Sequence, residues 1–251
     1  MSDIELSILL PAFIAGVLVL ATHIPFGMKV LERGVIFADL AVAQIAGLGV
    51  ILAALLDLTE KPLVVQLIAA ASALCGAALL AWIEKRMAEV KEACIGLTFV
   101  LAASGGILLM SRDVHAGEHL KDLLVGQILW VSTGQLIAAA VLTVALLVMW
   151  QWSKFKSGNL GFYGMFALAV TASVQLVGVY LVFASLIVPA LATYRIKRRR
   201  MLHAYIVGIA GYAIGLFLSA WFDLPSGPAV IWAMAASGVL AALIMNPGKV
   251  R

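Results

Sequence analysis

FYGMFALAVTASVQLVGVYLVFASLIVPALATY, residues 162–194, contains no Asp, Glu, Lys or Arg side chain. A helix needs about 20 apolar residues to cross the hydrocarbon core of a bilayer. These 33 residues are too many for one upright crossing and barely enough for two. The stretch therefore predicts either one long span or a pair of short or re-entrant helices with a break near Gly178.

The rest of the chain has the same character. Of its 251 residues, 64% are hydrophobic and only 12% are charged, and the mean hydropathy is +1.09, far outside the range of soluble domains. Backbone groups in lipid have no water to bond, so the spans must be helices. The sequence predicts an all-α polytopic membrane protein with eight to nine transmembrane helices, formed as one domain over residues 1–251. The other apolar runs of about 20 residues are 4–21, 34–56, 62–83, 93–110, 123–150, 202–222 and 227–245.

The loop charges favour the pair of helices over the single long span. Cytoplasmic loops of membrane proteins are enriched in Lys and Arg. If residues 162–194 cross twice and the N-terminus is outside, 14 of the 17 Lys and Arg residues lie inside. Only Lys61, Arg112 and Lys121 then remain outside. The same distribution explains the net charge of +4 by membrane topology and anionic lipid, without nucleic-acid binding.

A cluster of candidate metal ligands lies in SRDVHAGEHLKD, residues 111–122. If this segment is helical, His115, Glu118 and His119 share one face, and imidazole and carboxylate groups suit Zn²⁺, Mn²⁺ or Fe²⁺. The alternative is a polar surface loop that contains histidines by chance. The H-x-x-E-H spacing also occurs in inverted zinc peptidases, but those use a further glutamate downstream, and no glutamate follows Glu118 here.

Asp39 is the only carboxylate well inside an apolar run, in VIFADLAVAQIAGLG. An intramembrane carboxylate is costly and normally faces a water-filled path or a partner, so it is a candidate functional residue. The alternative is a position close to the membrane surface. Gln44, five residues later, lies roughly 140° around the helix and would not chelate the same ion from a straight helix.

Four segments together resemble the integral-membrane permease of metal-specific ABC importers, which take up zinc, manganese or iron(II). They occur in the order of that family and extend over nearly the whole chain. The four are LERGVIFADLAVAQIAGLGV (31–50), HLKDLLVGQILWVSTGQL (119–136), VGVYLVFASLIVPALAT (177–193) and SAWFDLPSGPAVI (219–231).

This resemblance implies a multi-pass permease of the bacterial inner membrane that is not itself an enzyme. It implies a homodimer, a separate cytoplasmic ATP-binding subunit and an extracytoplasmic metal-binding protein. No permanently bound cofactor is expected, and the divalent metal, zinc ahead of manganese or iron, is the cargo. The chain contains no G-x-x-x-x-G-K-[ST] motif, in agreement with ATP hydrolysis by a partner.

The chain departs from the family pattern at two places. Many members carry a histidine four residues after the aspartate of the second helix. Here Asp39 matches the aspartate, but Ala43 occupies the fourth position after it, and Gln44 comes next. Between Trp152 and Phe162 only SKFKSGNLG intervenes, where typical members have a longer segment that docks on the ATPase. The short connection leaves open an ATPase-independent carrier, a sensor or an assembly subunit derived from such a permease.

The charge distribution predicts that positions 85 and 198 are cytoplasmic and position 115 is outside. Single cysteines at these positions, in a parent with Cys75 and Cys94 replaced by serine, can be labelled in intact cells with an impermeant maleimide. We expect labelling at position 115 and protection at 85 and 198 until the membrane is permeabilised. Labelling of position 198 in intact cells would refute the nine-crossing topology.

Overall fold

The structure, a computed structural model, describes residues 3–56, 58, 61–110, 128–151 and 158–245. Within those ranges it contains nine α-helices, one short 3-10 helix at Ile128–Trp130, and no strand. Eight of the nine α-helices are long and apolar enough to cross a membrane, which confirms the all-α polytopic class. The helices are α1 (Asp3–Arg33), α2 (Ala38–Leu55), α3 (Pro62–Arg86), α4 (Lys91–Met110), α5 (Thr133–Gln151), α6 (Asn159–Val177), α7 (Val179–Ala192), α8 (Arg200–Phe222) and α9 (Ser226–Met245).

The helices pack into two compact units. The first unit comprises Met1–Arg33, Leu124–Thr143 and Leu176–Arg251, so it contains α1, α7, α8 and α9. The second comprises Gly34–Leu123 and Val144–Gln175 and contains α2, α3 and α4. The expectation of a single domain over residues 1–251 stays a prediction.

Small residues set the helix spacing in the first unit. A Cβ atom added to Gly211 of α8 would lie 2.6 Å from Cβ of Met234 in α9, and one added to Gly208 would lie 2.7 Å from Leu20 of α1. Gly16 of α1 packs as closely against the ring of Tyr212. Helices in lipid associate through such close van der Waals packing. The hydrophobic effect does not favour their association, because lipid tails are as apolar as leucine.

Helix α1 is longer than the sequence predicts. The first apolar run ends at Ala21, yet the helix continues through Pro25 to Arg33, 31 residues in all. Proline has no N–H, so Pro25 leaves the carbonyl of Ala21 without its helical donor. The hydroxyl of Tyr205 in α8 donates to that carbonyl at 3.1 Å. This bond from a neighbouring helix allows α1 to pass through the proline.

In the second unit, α2 packs against α3 and α4 through two different faces. On one face, a Cβ atom at Gly49 would lie 2.6 Å from the Ser72 hydroxyl of α3, and one at Gly76 would lie 2.8 Å from Ile45. On the other face, a Cβ atom added to Gly106 of α4 would lie 3.2 Å from the Ile51 side chain. These contacts define which side of α2 each neighbour occupies.

The expected break in residues 162–194 is confirmed. Helix α6 ends at Val177, α7 begins at Val179, and Gly178 between them has φ 81° and ψ 161°. With 19 and 14 residues, the two pieces are a full-length span and a short apolar helix. The boundary between the two units, after Gln175, lies beside this break.

Because the backbone of Gly178 lies in a region that is open essentially only to glycine, Gly178→Ala should destabilise the protein by about 1–3 kcal/mol. Gly164→Ala in α6 is the matched control, since nothing lies within 4 Å of its built Cβ and alanine favours a helix by up to about 1 kcal/mol. Thermal unfolding of the detergent-solubilised variants measures both. Equal melting temperatures for Gly178→Ala and the parent would contradict the strain at this position.

Candidate functional site

Asp39 lies in the first turn of α2 and is 1% exposed. Gly34, with φ 63°, begins the tight turn that ends α1 and leads into this helix. The N-cap residue Phe37 makes no side-chain capping bond, so the free N–H groups of the first turn favour a carboxylate there. Asp39 is therefore buried within the protein, and its depth relative to the membrane surface stays a prediction.

The Asp39 side chain lies on a different side of α2 from the contacts with α3 and with α4. Gly49 and Ile45 mark the side facing α3, and Leu48 and Ile51 mark the side facing α4. At 100° per residue, Asp39 lies about 100° from the first side and about 150° from the second. It belongs to a third face of α2.

This third face carries a single carboxylate among small side chains. Ala43 and Ala46 are buried on it, 3% and 4% exposed, and neither offers a ligand. Gln44 is half-buried on a different side of the helix, so it does not replace a histidine at position 43 within the same face. In the described part of the chain, Oδ1 of Asp39 has no hydrogen-bond partner.

A buried carboxylate oxygen without a donor is costly, and the cost is removed when a cation or a proton binds. Carboxylate oxygen is an acceptable ligand for Zn²⁺, Mn²⁺ and Fe²⁺. One carboxylate in an otherwise apolar face is not a complete coordination sphere. It suits transient contact with a passing cation better than permanent storage of one.

Glu92 positions the beginning of α2, a role that the sequence analysis missed. It lies in the first turn of α4, and its Oε1 accepts a hydrogen bond from the N–H of Phe37 at 3.1 Å. The bond caps α2 from a neighbouring helix and thereby sets the position of Asp39, two residues later. An acidic residue in the first turn of a helix is visible in the sequence, but its partner 55 residues away is not.

His23 is a second buried polar residue that the sequence analysis missed. It lies in α1, within the first unit, and is 0% exposed. Its Nδ1–H donates to the carbonyl of Val19 at 2.9 Å, and Thr22 Oγ1 lies 3.0 Å from the same nitrogen. Nε2, left as the acceptor of the ring, has no partner among the described residues. Extending the first span through Pro25 would have placed this histidine inside the membrane.

The predicted cluster His115, Glu118 and His119 lies outside the described residues. Elsewhere, in the ranges given above, no group of three or more His, Cys, Asp or Glu side chains could hold a metal ion. Of the four predicted site residues the structure therefore places only Asp39. The cluster stays a prediction.

Comparison with known proteins gives a family match over most of the chain. The model of the ABC 3 transport family matches residues 5–160 and 156–246. A probable iron transport system membrane protein of Haemophilus influenzae is 28% identical over 180 residues, 62% of this chain and 66% of its own length. YfeD of Yersinia pestis, a chelated iron transport system membrane protein, is 29% identical over 185 residues, 64% of this chain and 62% of its own length.

One further relative and one solved structure are similar to this chain over most of their length. ZnuB of Haemophilus influenzae, a high-affinity zinc uptake system membrane protein, is 24% identical and aligns with 93% of this chain and 96% of its own. The structure of PsaBC from Streptococcus pneumoniae in complex with Fab superposes with a TM-score of 0.69, covering 93% of this chain and 89% of that one at 21% identity. This second likeness supports the fold.

These matches confirm the resemblance inferred from the four sequence segments. The family consists of membrane subunits of transporters, so the chain is a multi-pass membrane protein and not an enzyme. The matched portion spans less than two thirds of the length of the two iron-transport relatives. By its sequence and its fold, the chain belongs to the ABC 3 transport family.

Proposed function

We propose that the chain is the permease subunit of an ABC transporter that imports a divalent transition metal across the bacterial inner membrane. The observation that carries the proposal is the buried carboxylate of Asp39, on a face of α2 that differs from those packed on α3 and α4, in a chain of the ABC 3 transport family. Such a group is normally placed on a substrate or ion pathway.

The ligand preferences of the metal ions and the names of the relatives indicate which ion is transported. Relatives are named for iron and for zinc transport, and both ions accept carboxylate and imidazole ligands. Zinc remains our first choice, with manganese or iron(II) as alternatives. The metal is a substrate, so no resident cofactor is required.

The proposal requires partners. A cytoplasmic ATP-binding subunit would supply energy, since the chain contains no Walker-type phosphate-binding motif. An extracytoplasmic metal-binding protein would deliver the ion, and a second copy of the permease would complete the pathway. Membrane lipid surrounds the assembly.

Import requires two packings of similar energy, one open to each side. The helix break at Gly178 and the glycine contacts of α8 offer two features that such a change could use. The cluster His115, Glu118 and His119 would capture the ion on the outside before it reaches Asp39. A metal bound by three protein ligands keeps one coordination position for water, and this open position allows the ion to be released.

A second candidate, an ATPase-independent carrier, sensor or assembly subunit, is favoured by one observation. Helix α5 ends at Gln151 and α6 begins at Asn159, which leaves only seven residues for a connection that docks the ATPase in the resembled permeases. Metal uptake into proteoliposomes without ATP would favour this candidate over the importer.

Asp39→Asn should lower ATP-driven metal uptake at every metal concentration, on the order of tenfold, equivalent to about 1.4 kcal/mol of barrier. The amide keeps the shape but removes the charge that attracts the ion. Asp223→Asn is the matched control, because Asp223 is exposed and asparagine tolerates its left-handed backbone, φ 53°. Radioactive zinc and manganese uptake and ATP hydrolysis by the purified complex in proteoliposomes are measured together. Parental uptake by Asp39→Asn would refute the role of this residue.

Replacing both His115 and His119 with alanine should weaken uptake at scarce metal and spare it at abundant metal. We expect the half-maximal metal concentration to rise about tenfold, or 1.4 kcal/mol of binding free energy, with the maximal rate unchanged. The control removes Arg112 and Lys121, two neighbours that are not metal ligands. If the double-histidine variant grows in chelator as well as the parent, the segment is a polar loop.

A further inference from the structure

The connection between α7 and α8 is a short, strongly positive surface, which we call the basic turn, residues 194–199. Arg195, Lys197, Arg198 and Arg199 are four of its six residues, and all four are exposed. Within the part of the chain that the structure describes, none of the four is in an ion pair. The turn therefore offers four cations with no ion-pair partner among the described residues.

Hydrogen bonds hold both ends of the basic turn. The Thr193 hydroxyl donates to the carbonyl of Pro189 at 2.8 Å, and the N–H of Ile196 donates to the carbonyl of Thr193 at 3.0 Å. At the other end, Arg199 has a left-handed backbone with φ 55°, and His203 N–H donates to its carbonyl at 3.2 Å. A surface ordered before binding loses less conformational entropy when a partner docks.

Arg200, the residue after the turn, points inward and serves as its anchor. It is 20% exposed, and its Nη2 donates to the carbonyl of Ala190 in α7 at 3.3 Å. Its guanidinium lies 5.5 Å from the ring centre of Tyr194, and Nη1 lies 4.0 Å from the Glu32 carboxylate of α1. Arg200 therefore connects the basic turn to the ends of α1 and α7.

The bonded ends and the side-chain composition of the turn argue for a protein partner over a lipid surface. Anionic headgroups attract any cluster of cations near a helix end and need no particular backbone conformation. Three of the four cations are arginines, whose planar forks match carboxylates in pairs, and the adjacent Tyr194 is 59% exposed. Arginine and tyrosine are enriched at protein interfaces.

We propose that the basic turn is a docking surface for an acidic patch on the cytoplasmic ATP-binding subunit. This inference rests on the proposed function. It gives the subunit a rigid contact point on the permease, while the connection between α5 and α6 is only seven residues long. Through Arg200, movement of the docked subunit would reach α1 and α7 of the first unit.

The test compares three permeases purified through a tag from native membranes: the parent, R198E/R199E, and the control K85E/R86E. Lys85 and Arg86 are exposed at the end of α3 and are predicted to lie on the same side of the membrane. R198E/R199E should retain less than a tenth of the nucleotide-hydrolysing subunit that the parent retains, identified by mass spectrometry and by its ATP hydrolysis. K85E/R86E, with the same change in net charge, should retain it fully.

A photocrosslinking amino acid at Lys197 gives a second measurement that does not depend on the folding of R198E/R199E. It should crosslink to the ATP-binding subunit, whereas the same group at Lys61, exposed and predicted outside, should not. If the subunit co-purifies with R198E/R199E and no crosslink forms at position 197, the docking surface is refuted and the importer stands.

Anionic lipid is the other partner that the experiment can detect. If the ATP-binding subunit stays bound to R198E/R199E while phosphatidylglycerol no longer raises the melting temperature of that variant in nanodiscs, the turn binds lipid and the inference is overturned. If the parent retains no nucleotide-hydrolysing subunit and ATP drives no uptake, the proposed function fails together with the inference.

Discussion

Every backbone N–H and C=O inside a bilayer needs a partner within the protein, and the structure of this chain depends on that constraint. Helices satisfy it locally, and where a helix is interrupted another group supplies the missing bond. Pro25 removes the donor for the Ala21 carbonyl, and the Tyr205 hydroxyl replaces it. At the end of α7, the Thr193 hydroxyl bonds the carbonyl of Pro189. Each of these side-chain hydrogen bonds connects a helix end or a proline position to one specific hydroxyl group.

The same constraint makes the candidate site unusual. Asp39 is a buried carboxylate with an oxygen unpartnered among the described residues, on a face of α2 that otherwise carries alanine and valine. Its position is set by the free N–H groups of the first helical turn and by Glu92, which caps that turn from α4. A carboxylate so held keeps a fixed place in an apolar surrounding, with Oδ1 unpartnered among the described residues.

At the end of α7, charge and rigidity coincide. The four exposed cations of the basic turn lie between bonds that fix both of its ends, and Arg200 connects the turn to α1 and α7. A transporter driven by a separate subunit needs a stiff path from the docking surface to its helices. Under the proposed function, the contacts of Arg200 would link a subunit docked on the basic turn to α1 and α7.

Composition and hydropathy alone determine the class of this protein, because the cost of charge in lipid depends on each residue and not on its neighbours. The break at Gly178 was also predictable, since the uncharged run is too long for one span and glycine tolerates the required backbone. Tertiary structure alone decided that Asp39 is buried on a third face of α2, that Glu92 caps this helix, and that His23 is enclosed. Those facts depend on contacts between residues far apart in the chain, which no local pattern encodes.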